Sequence, residues 1–492
     1  MGKTKPIFYN ALLLTGVNLL LRFASTSFQV FLSGIIGAEG IGLLQLVLSV
    51  GSLAMTAGMG GIRTATMYLS AEAVGLKKQS NIVWVLSGCI GYSMILSCCV
   101  STLLYHYAPL IADRWIGNTD MVTAIRLLAG FLPVNCLCGV MVGYFTGVNR
   151  IGTLAAVEVV EQLFTMLTTV LLLHFLSDGD SSKACLSVIM GSGMGACFTL
   201  TTLLILKKQE PMIHGKKISM RRKLWETAVP LAIADDVKAG ISTTENLMVP
   251  KRLALFPGER NPLASFGMVC GMVFPVLMFP AAILFGLAEL LIPELARCHA
   301  AGSTIRIKHL AERSLLLALI YGGFCGGILF LSADWICMKL YKTSEAGIYL
   351  RWYAVLAPML YCDAIVDAMS KGLGQQKICV RYNIITSAMD VALLFLLLPQ
   401  YGLKGYFLSF LITHLVNFIL SIRLLLKLVG QIIQVHTAVW VIFAAAMGTL
   451  AGCTLPAALQ IVGFVTVFSV LLVLFGVLRK EDLIWIKGLI KV

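Results

Sequence analysis

Charged residues are scarce in this chain of 492 residues. Only 13% of the residues are Asp, Glu, Lys or Arg, and acidic residues number 24. Hydrophobic residues make up 58%, and the mean hydropathy is +0.89. A soluble globular domain of this length needs far more charge to solvate its surface. The composition therefore excludes a soluble protein and predicts one that lies in a membrane.

Several catalytic motifs are also missing. The sequence contains no G-x-x-x-x-G-K-[ST], no H-E-x-x-H and no G-x-S-x-G, which argues against P-loop ATPases, zincins and α/β-hydrolases. Cys136 and Cys138 form a C-x-C without a second ligand pair, so no metal site is predicted. We expect no enzymatic activity and no cofactor other than a coupling cation or proton of unknown identity. A membrane-embedded transferase is the least favoured alternative.

Apolar runs of about twenty residues recur along the chain, which is the length that a helix needs to cross a bilayer. Hydropathy and length indicate about fourteen such spans. The predicted fold class is therefore an all-α polytopic membrane protein. The spans lie in 9–36, 42–71, 81–106, 121–145, 153–176, 185–206, 224–254, 264–296, 311–333, 348–371, 379–399, 404–427, 435–454 and 457–478.

A weak internal repeat suggests the domain organisation. Related Gly-containing segments, Gly143–Arg150 and Ala368–Gln375, end the fourth and the tenth predicted spans. We predict two six-helix lobes, 1–206 and 224–428, joined by a basic connector at 207–223. Two additional helices and a tail occupy 429–492. Halves with six spans each keep one orientation, so the repeats are expected to be parallel.

Lys and Arg indicate the topology. If the N-terminus is cytoplasmic, 25 of the 38 Lys and Arg lie in cytoplasmic segments and 8 in external ones. This bias predicts a multi-pass protein of the cytoplasmic membrane with both termini and the 207–223 connector inside. It also accounts for most of the net charge of +14 without a nucleic-acid partner.

The first predicted span carries a polar stripe within about 100° of a helical wheel. Such a stripe favours a water-filled cavity over a helix whose hydroxyls bond to neighbouring helices. Arg22 strengthens the cavity interpretation, because a buried guanidinium needs a carboxylate or water. The stripe consists of Thr15, Asn18, Arg22, Ser25, Thr26, Gln29 and Ser33.

The second span follows a Gly-rich stretch, 37–42, which predicts a hairpin, and contains Gly58, Gly60 and Gly61 before Arg63. These glycines permit close helix packing or a local break. Arg63 is either a second cavity cation or a residue that snorkels to the cytoplasmic side; the sequence leaves both open.

The seventh span is interrupted by Asp235, Asp236, Lys238 and Glu245. Charges at this depth usually face a cavity or a partner rather than lipid. Two prolines, Pro275 and Pro280, predict a kink or break in the eighth span.

The tenth span holds Asp363 and Asp367 one turn apart, followed by Lys371 after another turn. This acidic pair could bind a cation or a proton. The alternative is an Asp367–Lys371 ion pair at the membrane edge.

Five segments together resemble the stage V sporulation protein B group of the multidrug/oligosaccharidyl-lipid/polysaccharide (MOP) flippase superfamily, which is close to the lipid II flippases. The resemblance extends from about residue 7 to residue 478. The segments are Leu32–Leu43, Gly61–Glu72, Gly143–Gln162, Leu247–Leu253 and Lys371–Gln375.

This resemblance implies a two-lobed bundle with a central cavity that opens alternately to each side. It also implies a lipid-linked oligosaccharide or peptidoglycan precursor as cargo, in cell-wall or spore-cortex synthesis. The alternative is a cation-coupled multidrug exporter of the same superfamily. The expected partners are the lipid-linked glycan and membrane lipids, and the oligomeric state is left open.

Cations suit the diphosphate of such a cargo, and polar side chains suit its glycan. The predicted substrate-binding residues are Arg22, Asn18, Thr26, Gln29, Arg63, Lys238 and Glu245. The predicted ion-coupling residues are Asp235, Asp236, Asp363 and Asp367.

Overall fold

The computed structural model describes residues 4–75, 82–176, 180–208, 221–430 and 435–477. In these ranges the chain forms helices and turns only, which confirms the predicted all-α membrane fold. The predicted 207–223 connector and the C-terminal tail lie largely outside the described residues.

In chain order the helices are α1 (Thr4–Met59), α2 (Ile62–Gly75), α3 (Ile82–Leu110), α4 (Val122–Gly147), α5 (Ile151–Leu176), α6 (Ser181–Lys208), α7 (Arg221–Leu253), α8 (Pro262–Met268), α9 (Phe274–Met278), α10 (Ala281–Ala300), α11 (Thr304–Tyr341), α12 (Glu345–Ala354), α13 (Ala357–Gly372), α14 (Gln376–Tyr401), α15 (Leu403–Val429), α16 (Val435–Cys453) and α17 (Gln460–Leu474). Helix α3 continues into a π-helical segment, Ile111–Ile116, and a second π-helical segment, Val269–Val273, joins α8 to α9. A short 3-10 turn, Thr119–Met121, precedes α4.

Helix α1 consists of two helical segments joined at Gly37, which has φ +69° and ψ 178°. Glycine adopts this conformation without the steric cost that a Cβ would bring. The Gly-rich stretch 37–42 therefore produces one sharp kink at its first residue instead of the predicted hairpin, and the helix resumes immediately afterwards.

Nine helices of the described residues are long and apolar enough to cross a membrane, or up to eleven if each of two bent helix pairs is one span. Three features account for the difference between eleven and the predicted fourteen. The two segments of α1 run on with α2 as one stretch, α7 carries several charges, and α17 is short. The count of fourteen stays a prediction.

Contacts divide the described chain into two compact units. The first unit comprises Met1–Gly271 and Val391–Gly402, and the second comprises Met272–Asp390 and Leu403–Val492. This division does not follow the predicted lobe boundary at 207–223, because α7 packs against α1 and α2. The lobes and the internal repeat stay predictions.

In the first unit, α2 and α4 pack backbone to backbone. Three α4 glycines spaced four residues apart face α2. A Cβ on Gly143 would lie 2.3 Å from the carbonyl oxygen of Arg63, and one on Gly147 would lie 2.6 Å from that of Met67. A Cβ on the third, Gly139, would lie 3.3 Å from the side chain of Met59, the last residue of α1, and 3.9 Å from the Cβ of Arg63 on α2. Small residues allow such close approach in membranes, where van der Waals packing drives helix association.

The second unit uses small residues on two faces of α11. On one face, a Cβ on Gly326 would lie 2.8 Å from the carbonyl oxygen of Ala354. On the other, a Cβ on Gly327 would lie 2.2 Å from the ring of Phe464 on α17. Helix α11 thus packs against both α12 and the C-terminal helices.

The predicted break in the eighth span is present, because the axes of α8–α9 and α10 differ in direction by 63°. In the second unit, tyrosine hydroxyls donate to carbonyl oxygens along this broken span. Tyr341 Oη bonds Met272 O at 3.1 Å, and Tyr361 Oη bonds Leu277 O at 2.7 Å. These bonds satisfy polar backbone groups at membrane depth.

Candidate functional site

The polar stripe of the first predicted span lies on the first segment of α1. Arg22 is exposed and Thr26 is half-buried, while the side chain of Asn18 lies outside the described part of the structure. An arginine in an apolar helix faces water or polar groups in preference to lipid. The exposure of Arg22 is therefore consistent with a wet surface on α1.

Gln29, which was predicted to bind cargo, makes a structural contact. Its Nε2 donates to the carbonyl oxygen of Gly271 at 3.3 Å. This carbonyl has no amide donor four residues later, because Pro275 has no N–H. Gln29 therefore supplies a donor at the broken span, and this role competes with a role in cargo binding.

Arg63 lies in the first turn of α2, directly after a break in the helix. Gly60 and Gly61 have φ values of +47° and +68°, and the Tyr92 hydroxyl donates to Gly60 O at 3.2 Å. The N-terminal turn of a helix carries partial positive charge and attracts anions. The side chain is exposed and interacts electrostatically with Glu158 on α5.

Both the cavity and the snorkelling interpretation of Arg63 stay predictions. Glu158 was not among the predicted site residues. Its signal in the sequence was the polar face that it shares with Glu161 and Gln162 on the fifth span.

The polar face of α7 contacts the second segment of α1. Thr243 Oγ1 donates to the carbonyl oxygen of Ser49 at 3.0 Å, and Asn246 Nδ2 donates to Ser49 Oγ at 2.9 Å. Glu245 is half-buried and lies about 100° or more around the helix from these two residues. These bonds explain how a helix with several polar residues packs inside the first unit.

The other predicted site residues of α7, Asp235, Asp236 and Lys238, lie one to three turns before the contact with Ser49. Asp235 and Lys238 are exposed, and Asp236 is half-buried. The Oδ1 atom of Asp236 is buried and has no hydrogen-bond partner in the described structure. Helix α7 neighbours both α1 and α2, so the first unit carries Arg63 and Lys238 on neighbouring helices and Arg22 on the first segment of α1.

In the second unit, the two predicted aspartates of α13 differ. Asp363 Oδ2 accepts a hydrogen bond from Asn417 Nδ2 of α15 at 2.9 Å. Asp363 Oδ1 and Asn417 Oδ1 are buried without a partner among the described residues. Asp367 instead forms an ion pair with Lys371 at 2.5 Å, as the edge-pair alternative predicted. Asp363 is thus the better placed of the two to accept a cation or a proton.

Sequence reasoning missed Asp390 on α14. Its side chain is 9% exposed, and its Oδ1 accepts bonds from Ser409 Oγ at 2.5 Å and Thr413 Oγ1 at 3.3 Å. The available signal was a lone aspartate within an apolar span, followed by two hydroxyls four residues apart on the next span. An acid buried in this way marks a functional site by default.

The chemistry of these groups differs between the two units. The first carries exposed cations on α1, α2 and α7, which suit an anionic ligand. The second holds a buried aspartate, Asp390, and a half-buried one, Asp363, each hydrogen-bonded to α15. Carboxylates within membrane helices suit a proton or a cation. Across the described residues, no cluster of three or more His, Cys, Asp and Glu is arranged to hold a metal ion.

Comparison with solved structures identifies the fold. The fold matches the lipid II flippase MurJ in an inward closed conformation, with a TM-score of 0.69 and 14% identity, over 96% of this chain and 99% of that one. It also matches an inward-facing multidrug resistance MATE family transporter of the MOP superfamily, with a TM-score of 0.66 and 14% identity, over 89% and 99% of the two chains. The chain therefore has the fold of the MOP transporters.

Comparison of sequences indicates a particular group within this fold. Stage V sporulation protein B of Bacillus subtilis (strain 168) is 22% identical over 409 residues, which cover 80% of this chain and 78% of that protein. No family model matches the chain. These comparisons confirm the resemblance that the sequence motifs indicated.

Proposed function

We propose that the chain is a flippase that moves a lipid-linked oligosaccharide or peptidoglycan precursor across the cytoplasmic membrane by alternating access. The observation that carries the proposal is the set of exposed cations, Arg22, Arg63 and Lys238, on α1, α2 and α7 of a fold shared with a lipid II flippase. The relative named for sporulation supports a role in cell-wall or spore-cortex synthesis.

The cations suit the phosphates of such a precursor. Arg22 and Arg63 each present a planar guanidinium, which can bind phosphate oxygens with two parallel hydrogen bonds. Thr26 and Asn18, which the sequence places on the same polar stripe, would bind the glycan. No chemical conversion of the cargo is proposed, so the protein would not be an enzyme. Both termini are proposed to be cytoplasmic.

The test is translocation of a lipid-linked precursor in liposomes that contain the purified protein. We expect Arg22→Ala to abolish transport, and Arg22→Lys to transport poorly because lysine keeps the charge but loses the planar fork. Arg126→Ala is the matched control, since Arg126 lies on α4 over the Tyr105 ring at 5.0 Å. Full cargo affinity in a stable Arg22→Ala protein would refute the phosphate role.

We further propose that an ion gradient or the membrane potential drives transport, with Asp363 and Asp390 as the principal coupling groups. Asp390 is buried beside two hydroxyls of α15. Asp363 is half-buried and accepts a hydrogen bond from the Asn417 amide of α15. Asp235 and Asp236 on α7 stay candidates. Asp367 is a weaker one, because Lys371 already neutralises it.

A cation-coupled multidrug exporter is the second candidate function. The fold match to a multidrug resistance MATE transporter and the aspartates Asp363 and Asp390 of the second unit favour it. Ion-dependent efflux of cationic dyes, without movement of a lipid-linked precursor, would support this function instead.

A further inference from the structure

A polar cavity of about 480 Å³ lies in the first unit, where the 3-10 turn before α4 meets the start of α6. Three hydroxyls, from Thr119, Thr123 and Ser182, line it together with the carboxylates of Asp120 and Asp180. Its volume falls in the range of small-molecule sites, about 300–1,000 Å³. The predicted topology places this end of the helices outside the cell.

Local hydrogen bonds fix the cavity wall. Asp180 Oδ1 accepts from the backbone amide of Ser182 at 2.9 Å and so caps the N-terminus of α6. On the opposite side, Asn118 Oδ1 accepts from the amide of Asp120 at 2.9 Å. The polar groups are thus held on short, capped segments that begin two long helices.

The rest of the lining adds one cation and an apolar patch. Lys183 contributes an ammonium group, and Ala124 and Leu186 contribute aliphatic surface. The cavity therefore offers hydrogen-bond donors, acceptors and apolar contacts within one small volume.

This mixture selects among ligand classes. A free anion would be repelled by the two carboxylates. A metal cation would be repelled by Lys183 and would find too few ligands, since the described residues hold no cluster of three metal-binding side chains. A neutral sugar needs both donors and acceptors for its hydroxyls and aliphatic surface for its C–H face. Being uncharged, it also loses no ionic solvation on binding.

We propose that this cavity binds a sugar unit. Its biological role rests on the proposed function, since the sugar would belong to the glycan of the lipid-linked precursor on the predicted outer side of the membrane. Carboxylates and hydroxyls hold the sugar hydroxyls, Lys183 donates to a further oxygen, and Leu186 contacts the ring.

The experiment is saturation-transfer NMR on the purified full chain with soluble N,N′-diacetylchitobiose. Thr123→Val removes one hydroxyl with little change in shape, and Asp180→Asn keeps the helix cap but removes the charge. We expect each variant to weaken binding by about tenfold or more, the effect of losing a hydrogen bond to a polar ligand. Thr102→Val, an exposed threonine on α3, is the control and should bind normally.

Absence of chitobiose binding by the wild-type protein would overturn the proposal. Undiminished binding by the double variant Thr123→Val/Asp180→Asn would also overturn it, as would tighter binding of Mg²⁺ or pyrophosphate that these variants weaken. These experiments distinguish failure of the cavity assignment from failure of the proposed flippase function. Chitobiose binding without precursor transport would leave the cavity assignment standing, whereas transport without chitobiose binding would remove only the cavity assignment.

Discussion

The contact between Gln29 and Gly271 allows a structural role to be separated from a role in cargo binding. Gln29→Ala removes the amide that donates to Gly271 O at 3.3 Å. A carbonyl left without a donor costs about 1–3 kcal/mol, and this long bond argues for the lower part of that range. Pro275→Ala restores an N–H that can serve the same carbonyl. In that background, we expect Gln29→Ala to cost about 1 kcal/mol less than in the wild type.

The assay is chemical unfolding of the four purified proteins of this double-mutant cycle in detergent, with the apparent free energy of unfolding as the readout. Gln162→Ala, which truncates a half-buried glutamine of α5, reports the cost of losing a comparable side chain elsewhere. Cargo binding is measured on the same proteins at a temperature where all are folded.

Additive free-energy changes in the Gln29 and Pro275 variants would refute the carbonyl-donor argument. A fully stable Gln29→Ala protein with lost cargo affinity would also refute it and would restore Gln29 to the cargo site.

Three further outcomes are expected. Asp363→Asn should abolish the dependence of transport on ion gradients, with up to about fifty-fold less accumulation at 100 mV, while Asp367→Asn should retain it; equal effects in accumulation assays would contradict the assignment. Gly143→Ala should lower the apparent free energy of unfolding by about 1–3 kcal/mol, because its Cβ would lie 2.3 Å from a backbone oxygen; Gly152→Ala, where the space is open, should be neutral, and equal stability of the two variants would refute the packing argument. A single cysteine at Ser219→Cys in a cysteine-less background should resist impermeant maleimide in intact cells; labelling there would overturn the predicted topology.

The fold class followed from composition, because apolar runs of membrane-spanning length leave few alternatives. The break near Pro275 and Pro280 was also predictable, since proline removes a backbone donor wherever it occurs. The kink at Gly37 was harder to locate. The stretch 37–42 contains three glycines, and only the tertiary structure determines which one adopts a positive φ.

The proximity of polar residues was predictable where they share one helix, as Arg22 and Thr26 do. It was not predictable where partners are distant in sequence. Gln29 meets a carbonyl 242 residues away, so its structural role has no signal on its own helix. Asp390 likewise finds its hydroxyl partners on the next span, and helical periodicity within α14 cannot reveal them.

The backbone contact between α2 and α4 has a consequence for evolvability. The nearest α2 atoms to a Cβ on Gly143 or Gly147 are main-chain oxygens, followed by main-chain atoms and the Cβ atoms of Thr66 and Ser70. The fit of the two helices therefore depends little on which residues α2 carries on its other faces. Arg63 can therefore be replaced by another residue without repacking the contact between α2 and α4. A lineage could change the charge that it presents to cargo by single substitutions on α2, while α4 retains the shape of the scaffold.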